Sequence, residues 1–129
     1  IESLTVGHTH IPGVSRFTIV VQGDETTLEQ LRKQSQKLVH VLTTDNLKVG
    51  QSVMREFAIV KMRYDKDSSS RVNEIVDMYG ARMLDSTNDV LIVEFSGSEE
   101  KINLVFDDLK ELDVLESIRT GKIGMKSNN

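Results

Sequence analysis

The second half of the chain switches repeatedly between two hydrophobic periods, and this switching limits the folds it can adopt. Residues 57–64 (FAIVKMRY) are apolar on both faces at their start, which is typical of a central strand, and residues 90–95 (VLIVEF) form a second strong strand pattern. Shorter strands are predicted at 82–85 (RMLD) and, bent or bulged around Gly121, at 114–125. The second half is therefore predicted to contain four strands.

Two stretches with helical spacing separate these strands. Their apolar stripes consist of Val72, Ile75, Val76 and Tyr79 in the first stretch and Ile102, Val105, Phe106 and Leu109 in the second. The polar run 65–70 (DKDSSS) supplies the cap of the first helix, Gly80 ends that helix, and Ser98 caps the second. The order strand–helix–strand–strand–helix–strand is that of the split βαβ, or ferredoxin-like, unit.

The first half begins with a predicted hairpin. Strands at about 1–6 and at 15–23 (SRFTIVVQG) alternate apolar and polar residues, and they flank the loop 8–13 (HTHIPG), whose Pro-Gly pair is a turn signal. A helix is predicted next, because Thr26 and Glu29 have the spacing of a capping box.

This helix is expected to run to about Val39 and to bury one stripe of side chains. The stripe comprises Leu28, Leu31, Ser35, Leu38 and Val39. A short strand is predicted to follow at 40–47 (HVLTTDNL). The first half thus has the order strand–strand–helix–strand, which is the ferredoxin-like plan without its first strand and helix.

The predicted fold class is therefore α+β, with two ferredoxin-like domains. The first is expected over 1–50 and incomplete, the second over 51–129, with the boundary near 48–52. A complete first domain needs a preceding strand and helix of roughly 25 residues, given ordinary element lengths. With one helix to cover its sheet, the first domain is expected to leave apolar surface bare unless a partner covers it.

Composition excludes several function classes. The net charge of −4 argues against a nucleic-acid-binding face, which needs a clustered positive field. The chain has no cysteine and hence no disulfide, thiolate nucleophile or cysteine-ligated metal. No apolar run approaches the length of a membrane span. These properties predict a soluble protein of a reducing compartment, without nucleic-acid or membrane partners.

The candidate chemical motifs are weak. His8 and His10 lie in the hairpin loop and His40 is far along the chain, so the number and spacing of possible metal ligands fall short of a closed site. The loop is more simply a solvated turn. Residues 119–122 (RTGK) resemble a truncated phosphate loop without its full spacing or its helix. Ser15-Arg16 fits either a soluble edge strand or an interface position.

Acidic pairs do not add up to a catalytic centre either. Asp65 and Asp67, Glu99-Glu100 and Asp107-Asp108 are predicted in loops or on the solvent side of helices, whereas acid–base catalysis needs carboxylates that converge in a cleft. No catalytic residue and no metal ligand is therefore assigned.

Several separated segments closely resemble, in order and spacing, one family: the small, regulatory subunit of acetolactate synthase (acetohydroxyacid synthase). The resemblance covers about residues 1–125. The segments that carry it are IESLTVG, SRFTIVVQGD, LEQLRKQSQKLVHVL, MREFAIVKMRY, ARMLDSTNDVLIVEFSG and IRTGKIGM.

The resemblance implies an ACT domain followed by a second ferredoxin-like domain, in a protein that does no chemistry itself. It implies a homodimer through the ACT domains and a catalytic large subunit as partner. That partner carries thiamine diphosphate, Mg²⁺ and usually FAD, and none of these is expected in this chain. The implied role is to raise the activity of the catalytic subunit and to confer feedback inhibition by valine or another branched-chain amino acid. The implied location is the cytoplasm, or the plastid in a plant or alga.

The same resemblance suggests three effector-binding positions, Ile1, Gly7 and Gln30. Each also has a plain structural interpretation: Ile1 as core, Gly7 as a hairpin terminus and Gln30 as a solvated helix residue. For contact with the catalytic subunit, the resemblance and the pattern favour the exposed sheet face of the second domain and the strand at 119–124.

Two other function classes are compatible with a ferredoxin-like fold. An amino-acid-sensing module of a transcription regulator requires a DNA-binding segment, which is not in this sequence and would have to lie upstream of it. A small enzyme of the acylphosphatase type requires a phosphate-binding loop with a nearby Arg and Asn, and no convincing version of that loop is found.

Overall fold

A computed structural model describes residues 1–128, which divide into two compact units. The first unit comprises Ile1–Val53 and the chain from Ile123 onward, and the second comprises Met54–Lys122. The chain therefore passes between the units twice, first after Val53 and again after Lys122.

The first unit contains an antiparallel hairpin of β1 (Ser3–His8) and β2 (Ser15–Val20), followed by α1 (Glu25–Gln36). The hairpin loop is closed by the Thr9 hydroxyl, which donates to the Val14 carbonyl at 2.8 Å. The predicted hairpin is thus confirmed. Its first strand is displaced, however: it starts at Ser3 rather than Ile1 and continues to His8, because pairing with β2 extends to the edge of the loop.

The helix α1 begins earlier and ends earlier than predicted. Its cap is Asp24, whose Oδ1 accepts the Thr27 N–H at 2.8 Å, and not the Thr26 box; this bond lowers the pKa of Asp24. At the other end, the Ser35 hydroxyl donates to the Leu31 carbonyl, and Leu38 N–H bonds back to Ser35 O in a tighter turn. The helix therefore stops at Gln36, before Val39.

The predicted strand at 40–47 does not form. In the structure the side chains of this segment bond to α1 instead: Thr44 Oγ1 donates to the Arg32 carbonyl at 3.2 Å, and Asn46 Nδ2 donates to Glu29 Oε2 at 3.1 Å. A strand requires a neighbouring strand for its backbone groups, and among residues 1–128 none pairs with this segment.

The second unit has the predicted ferredoxin-like order. Its elements are β3 (Ser52–Arg63), whose first two residues belong to the first unit, α2 (Ser69–Tyr79), β4 (Arg82–Thr87), β5 (Val90–Gly97), α3 (Glu99–Leu109) and β6 (Val114–Arg119). The strands form an antiparallel sheet in the order β4–β5–β3–β6. The fold class predicted from the sequence is confirmed here.

All of the buried apolar residues found among the described positions lie in this second unit. They are Ala58, Val60 and Met62 of β3; Leu91, Val93 and Phe95 of β5; Val72, Ile75 and Val76 of α2; and Ile102, Val105 and Leu109 of α3. Alternate residues of β3 and β5 thus face the two helices, and the other residues of these strands form the opposite face of the sheet.

The predicted last strand is divided in two. Residues 120–122 after β6 are not in a strand, and Gly121 among them has φ +80°. The next strand is β7 (Ile123–Lys126). β7 pairs with β3, and just beyond it the Ser127 N–H donates to the Gln51 carbonyl at 3.0 Å. The bend predicted at Gly121 is therefore confirmed, but it ends one strand and precedes another.

Two helix ends in the second unit follow the sequence signals, whereas Ser68, the residue of the 65–70 run that precedes α2, makes no side-chain capping bond. Gly80 ends α2 with φ +60°, a conformation that costs glycine little. The Ser98 hydroxyl caps α3 by accepting the Lys101 N–H at 3.2 Å, and Glu99 and Glu100 occupy the first turn, where negative charge is favourable.

We expect Ser98→Ala to lower the free energy of unfolding by about 1 kcal/mol, because it removes an N-cap acceptor. Urea unfolding followed by circular dichroism would measure the loss. The control is Ser70→Ala at an exposed position inside α2, which should be neutral or slightly stabilising. Equal losses in both variants would contradict the capping role.

Candidate functional site

The three residues suggested as effector-binding positions lie on different parts of the first unit. Ile1 precedes β1 and is 88% exposed. Gly7 lies near the other end of β1, opposite Arg16 of β2, and a side chain added at Gly7 would meet no atom within 4 Å. Gln30 is exposed on α1. Packing within one chain therefore does not explain a glycine at position 7.

A single chain does not bring these three residues together. Six positions of extended chain separate Ile1 from Gly7, which corresponds to about 20 Å. Gln30 lies instead beside a shallow surface groove of about 370 Å³. The groove is lined by Glu25, Thr26, Glu29, Gln30 and Lys33, all from α1. One small ligand cannot contact Ile1 and Gly7 of the same chain.

The hairpin of the first unit presents an apolar face to solvent. Leu4 lies opposite Ile19, and Val6 lies opposite Phe17, so that the four side chains share one face. Their exposed fractions are between 52% and 61%. A cluster of this kind typically marks a contact surface. The bare apolar surface expected from the sequence is therefore present, and we call these four residues the hairpin face.

The second unit also has a partly exposed sheet surface, on the side away from its helices; Phe57 and Ile59 in it are half-buried. Phe57 and Ile59 of β3 lie beside Ile118 of β6, and Ile118 is 64% exposed. The salt bridge Lys61–Glu116, at 3.2 Å, borders these apolar side chains. We call Phe57, Ile59, Ile118 and the pair Lys61–Glu116 the open face; sequence reasoning favoured this sheet surface for contact with a partner.

The most buried charge in the second unit is Glu56, with 4% exposure. Its carboxylate accepts two bonds from Arg119, Nε to Oε1 at 2.7 Å and Nη2 to Oε2 at 3.2 Å. Arg119 Nη2 also donates to Asn103 Oδ1 at 2.7 Å, and its guanidinium lies 5.6 Å from the centre of the Phe106 ring. Hydrogen bonding to Glu56 raises the pKa of Arg119.

The sequence offered a signal for Glu56, an acidic residue directly before the apolar run of a central strand, but none for its partner. From the sequence, residues 119–122 were considered as a truncated phosphate loop and 119–124 as a contact strand, and an ion pair was not considered there. In the structure, the Arg119 guanidinium is paired with Glu56, and Lys122 Nζ lies 2.6 Å from Glu99 Oε2. Both cations thus pair with carboxylates of the same chain, and these contacts do not support the phosphate-loop resemblance.

The acidic candidates Asp65 and Asp108 take part in hydrogen bonds within the fold. The Tyr79 hydroxyl donates to Asp108 Oδ2 at 2.5 Å, and this bond raises the pKa of Tyr79. Asp65 accepts backbone N–H groups at the start of α2, which lowers the pKa of its carboxyl. Within residues 1–128, no group of three or more histidine, aspartate or glutamate side chains is placed to hold a metal ion.

A search of the helices in the described part of the chain finds none with the length and apolar character needed to cross a membrane.

Comparison with protein families gives two separate matches. The family described as the small subunit of acetolactate synthase matches residues 55–128. The family described as the AHAS small subunit-like ACT domain matches residues 1–43.

Individual relatives agree with these matches. The chain is 34% identical to a probable acetolactate synthase small subunit of Archaeoglobus fulgidus, over 100% of this chain and 80% of the relative. It is 36% identical to the acetolactate synthase small subunit of Bacillus subtilis, over 94% of this chain and 71% of the relative. The crystal structure of the acetolactate synthase small subunit from Thermotoga maritima superposes with a TM-score of 0.89 at 33% identity, covering 99% of this chain and 80% of that one. The chain therefore belongs to the acetolactate synthase small-subunit family.

Proposed function

We propose that this protein is a regulatory subunit that does no chemistry itself and acts on an acetolactate synthase catalytic subunit in the cytoplasm. It raises the activity of that subunit and confers feedback inhibition by valine or another branched-chain amino acid. The observation that carries the proposal is membership of the small-subunit family over both units. We propose an ACT domain over 1–50 and a second domain over 51–129.

The cofactors of the reaction are assigned to the catalytic partner. Thiamine diphosphate, Mg²⁺ and FAD are proposed to bind there. Within residues 1–128, no three histidine, aspartate or glutamate side chains are grouped so that they could hold a metal ion. The charged groups described above are instead used in helix caps and ion pairs.

The effector site is proposed to lie between two copies of the chain. Ile1, Gly7 and Gln30 remain the candidate residues. Because Ile1 and Gly7 of one chain are about 20 Å apart, one amino acid could contact both only if they come from different protomers. A site of this kind agrees with the proposed homodimer and lets a small ligand bias the arrangement of two subunits.

The proposed contact with the catalytic subunit uses the open face and the neighbouring 119–124 segment. The apolar centre formed by Phe57, Ile59 and Ile118 supplies area that a partner can bury, and the flanking Lys61–Glu116 pair supplies a polar rim.

The direct test mixes the complete protein with the acetolactate synthase catalytic subunit of its own organism. We expect acetolactate formation to rise by at least twofold and then to fall when valine is added. The two proteins should elute together from a sizing column. Absence of both activation and co-elution would contradict the proposed function.

The effector assignment is tested in the same assay with Gln30→Ala. We expect activation to persist and the valine concentration for half inhibition to rise. Gln34→Ala, also exposed on α1, is the matched control and should behave like the unchanged protein. Equal valine responses in all three proteins would remove Gln30 from the site.

A further inference from the structure

The two passages of the chain between the units are joined by one ion pair on the second-unit side. Glu56 lies just after the first passage, which follows Val53, and Arg119 lies just before the second, which follows Lys122. The two bonds between Arg119 and Glu56 therefore connect the two passages directly.

The backbone beside this pair is also connected. The Thr120 N–H donates to the Phe57 carbonyl at 3.0 Å, and the Phe57 N–H donates to Thr120 Oγ1 at 3.2 Å. The chain then turns at Gly121, where φ is +80°. The direction in which the chain leaves the second unit is therefore set by contacts within two residues of Arg119.

The chain that follows pairs with β3 as the strand β7, and it makes three further contacts on the first-unit side. Arg16 Nη2 donates to the Gly124 carbonyl at 3.0 Å, and Lys126 Nζ lies 3.0 Å from Asp45 Oδ1. The third contact is the bond from Ser127 N–H to the Gln51 carbonyl. Apart from the Ser127–Gln51 bond, these contacts involve exposed side chains, which hold weakly by themselves.

We propose that Arg119 is a positioning residue. Its bonds to Glu56 and Asn103 hold the chain just after the first passage against the chain just before the second, so that the chain leaves Gly121 toward β7 in a fixed direction. If the proposed regulatory function is correct, on which this second step rests, the bonds of Arg119 are needed to transmit the effector response.

The positioning role is tested without any assay of activity, by hydrogen exchange on the complete protein carrying Arg119→Lys. Lysine keeps the positive charge beside Glu56 and loses the two-pronged bond and the bond to Asn103. We expect the amides of 123–127 to exchange about tenfold faster or more, while the core strand β5 stays protected. The matched control is Arg71→Lys, since Arg71 has nearly the same side-chain exposure, 32% against 33%, and pairs within α2 and with Glu111.

A second, milder variant separates the positioning role from a general loss of folding in the exchange experiment. Asn103→Ala leaves Arg119 and Glu56 in place and removes one of the bonds that orient the guanidinium. It should speed exchange at 123–127 by a smaller factor, about threefold. Unchanged exchange at these amides in both variants, or an equal rise in Arg71→Lys, would overturn the positioning role.

The regulatory step is tested by mixing Asn103→Ala with the catalytic subunit, because Arg119 itself lies in the segment proposed to contact that subunit. We expect Asn103→Ala to keep activation within twofold and to raise the valine concentration for half inhibition about threefold. Faster exchange with an unchanged valine response would overturn transmission and leave the positioning role standing. If the unchanged protein neither activates nor responds to valine, the proposed function has failed, and the exchange result still decides the positioning role.

Discussion

Replacing Phe95 by alanine should lower the free energy of unfolding by about 3–5 kcal/mol, which approaches the whole stability of a small domain. Phe95 is 1% exposed and lies among the residues that β3, β5 and the two helices bury together. The substitution removes a large apolar surface from this core and leaves a cavity that close-packed neighbours cannot fill. Urea unfolding followed by circular dichroism would measure the loss.

Phe17→Ala is the matched control for this loss. Phe17 has the same side chain but is 61% exposed on the hairpin face, so the chain alone should lose less than about 1 kcal/mol. A loss as large as that of Phe95→Ala would show that the hairpin face is buried in the assembled protein. A small loss for Phe95→Ala would contradict the core described for the second unit.

Replacing Arg119 by methionine should lower the free energy of unfolding by about 3–5 kcal/mol, because it leaves the Glu56 carboxylate buried without its partner. Replacing both residues by methionine should cost far less than that, since no unpaired charge then remains. Denaturant unfolding of the single and double variants gives the coupling energy between the two positions directly.

The comparison variant for this pair is Arg71→Met. Its nearest partners Glu74 and Glu111 are 59% and 66% exposed, so water solvates their carboxylates when the arginine is lost. Its third partner, Asp108 at 4.0 Å, is 31% exposed and keeps the bond from the Tyr79 hydroxyl. The cost should stay below about 1 kcal/mol. If the two arginine variants lose equal stability, or if the double variant is as unstable as Arg119→Met, the burial of Glu56 does not have the effect assigned to it.

The second unit could be predicted from the sequence because its elements carry their own signals. The period of a strand is seen in the apolar run around Val60, and that of a helix in the stripe at Val72, Ile75 and Val76. In both elements, these residues, which the pattern assigns to the interior, are buried. Gly80 and Ser98 mark helix ends by local chemistry, which needs no knowledge of the rest of the fold.

The first unit was predicted less well because its elements depend on neighbours. The segment 40–47 has strand-forming residues, but a strand needs a partner along its backbone and the structure gives it side-chain contacts to α1 instead. The stripe on α1 was expected to be buried, yet Leu31 is 43% exposed and no residue of that helix is fully buried.

The candidate site was harder still to predict, because its residues lie far apart along the chain. The pairing of Glu56 with Arg119 joins positions 63 residues apart, and no local pattern predicts it. The assignment of Ile1, Gly7 and Gln30 came from family resemblance, and these positions remain predictions because one chain does not bring them together.

The hairpin face also bears on how the protein responds to its own concentration. A unit that has no buried apolar side chain among its described residues gains little free energy from folding alone. Any subunit that covers Leu4, Val6, Phe17 and Ile19 adds its binding free energy to the stability of that unit, by mass action. The ACT-like half of the molecule would then be well folded at the concentrations at which it is assembled and progressively less so on dilution. The range of protein concentration over which this half assembles would then also be the range over which it folds.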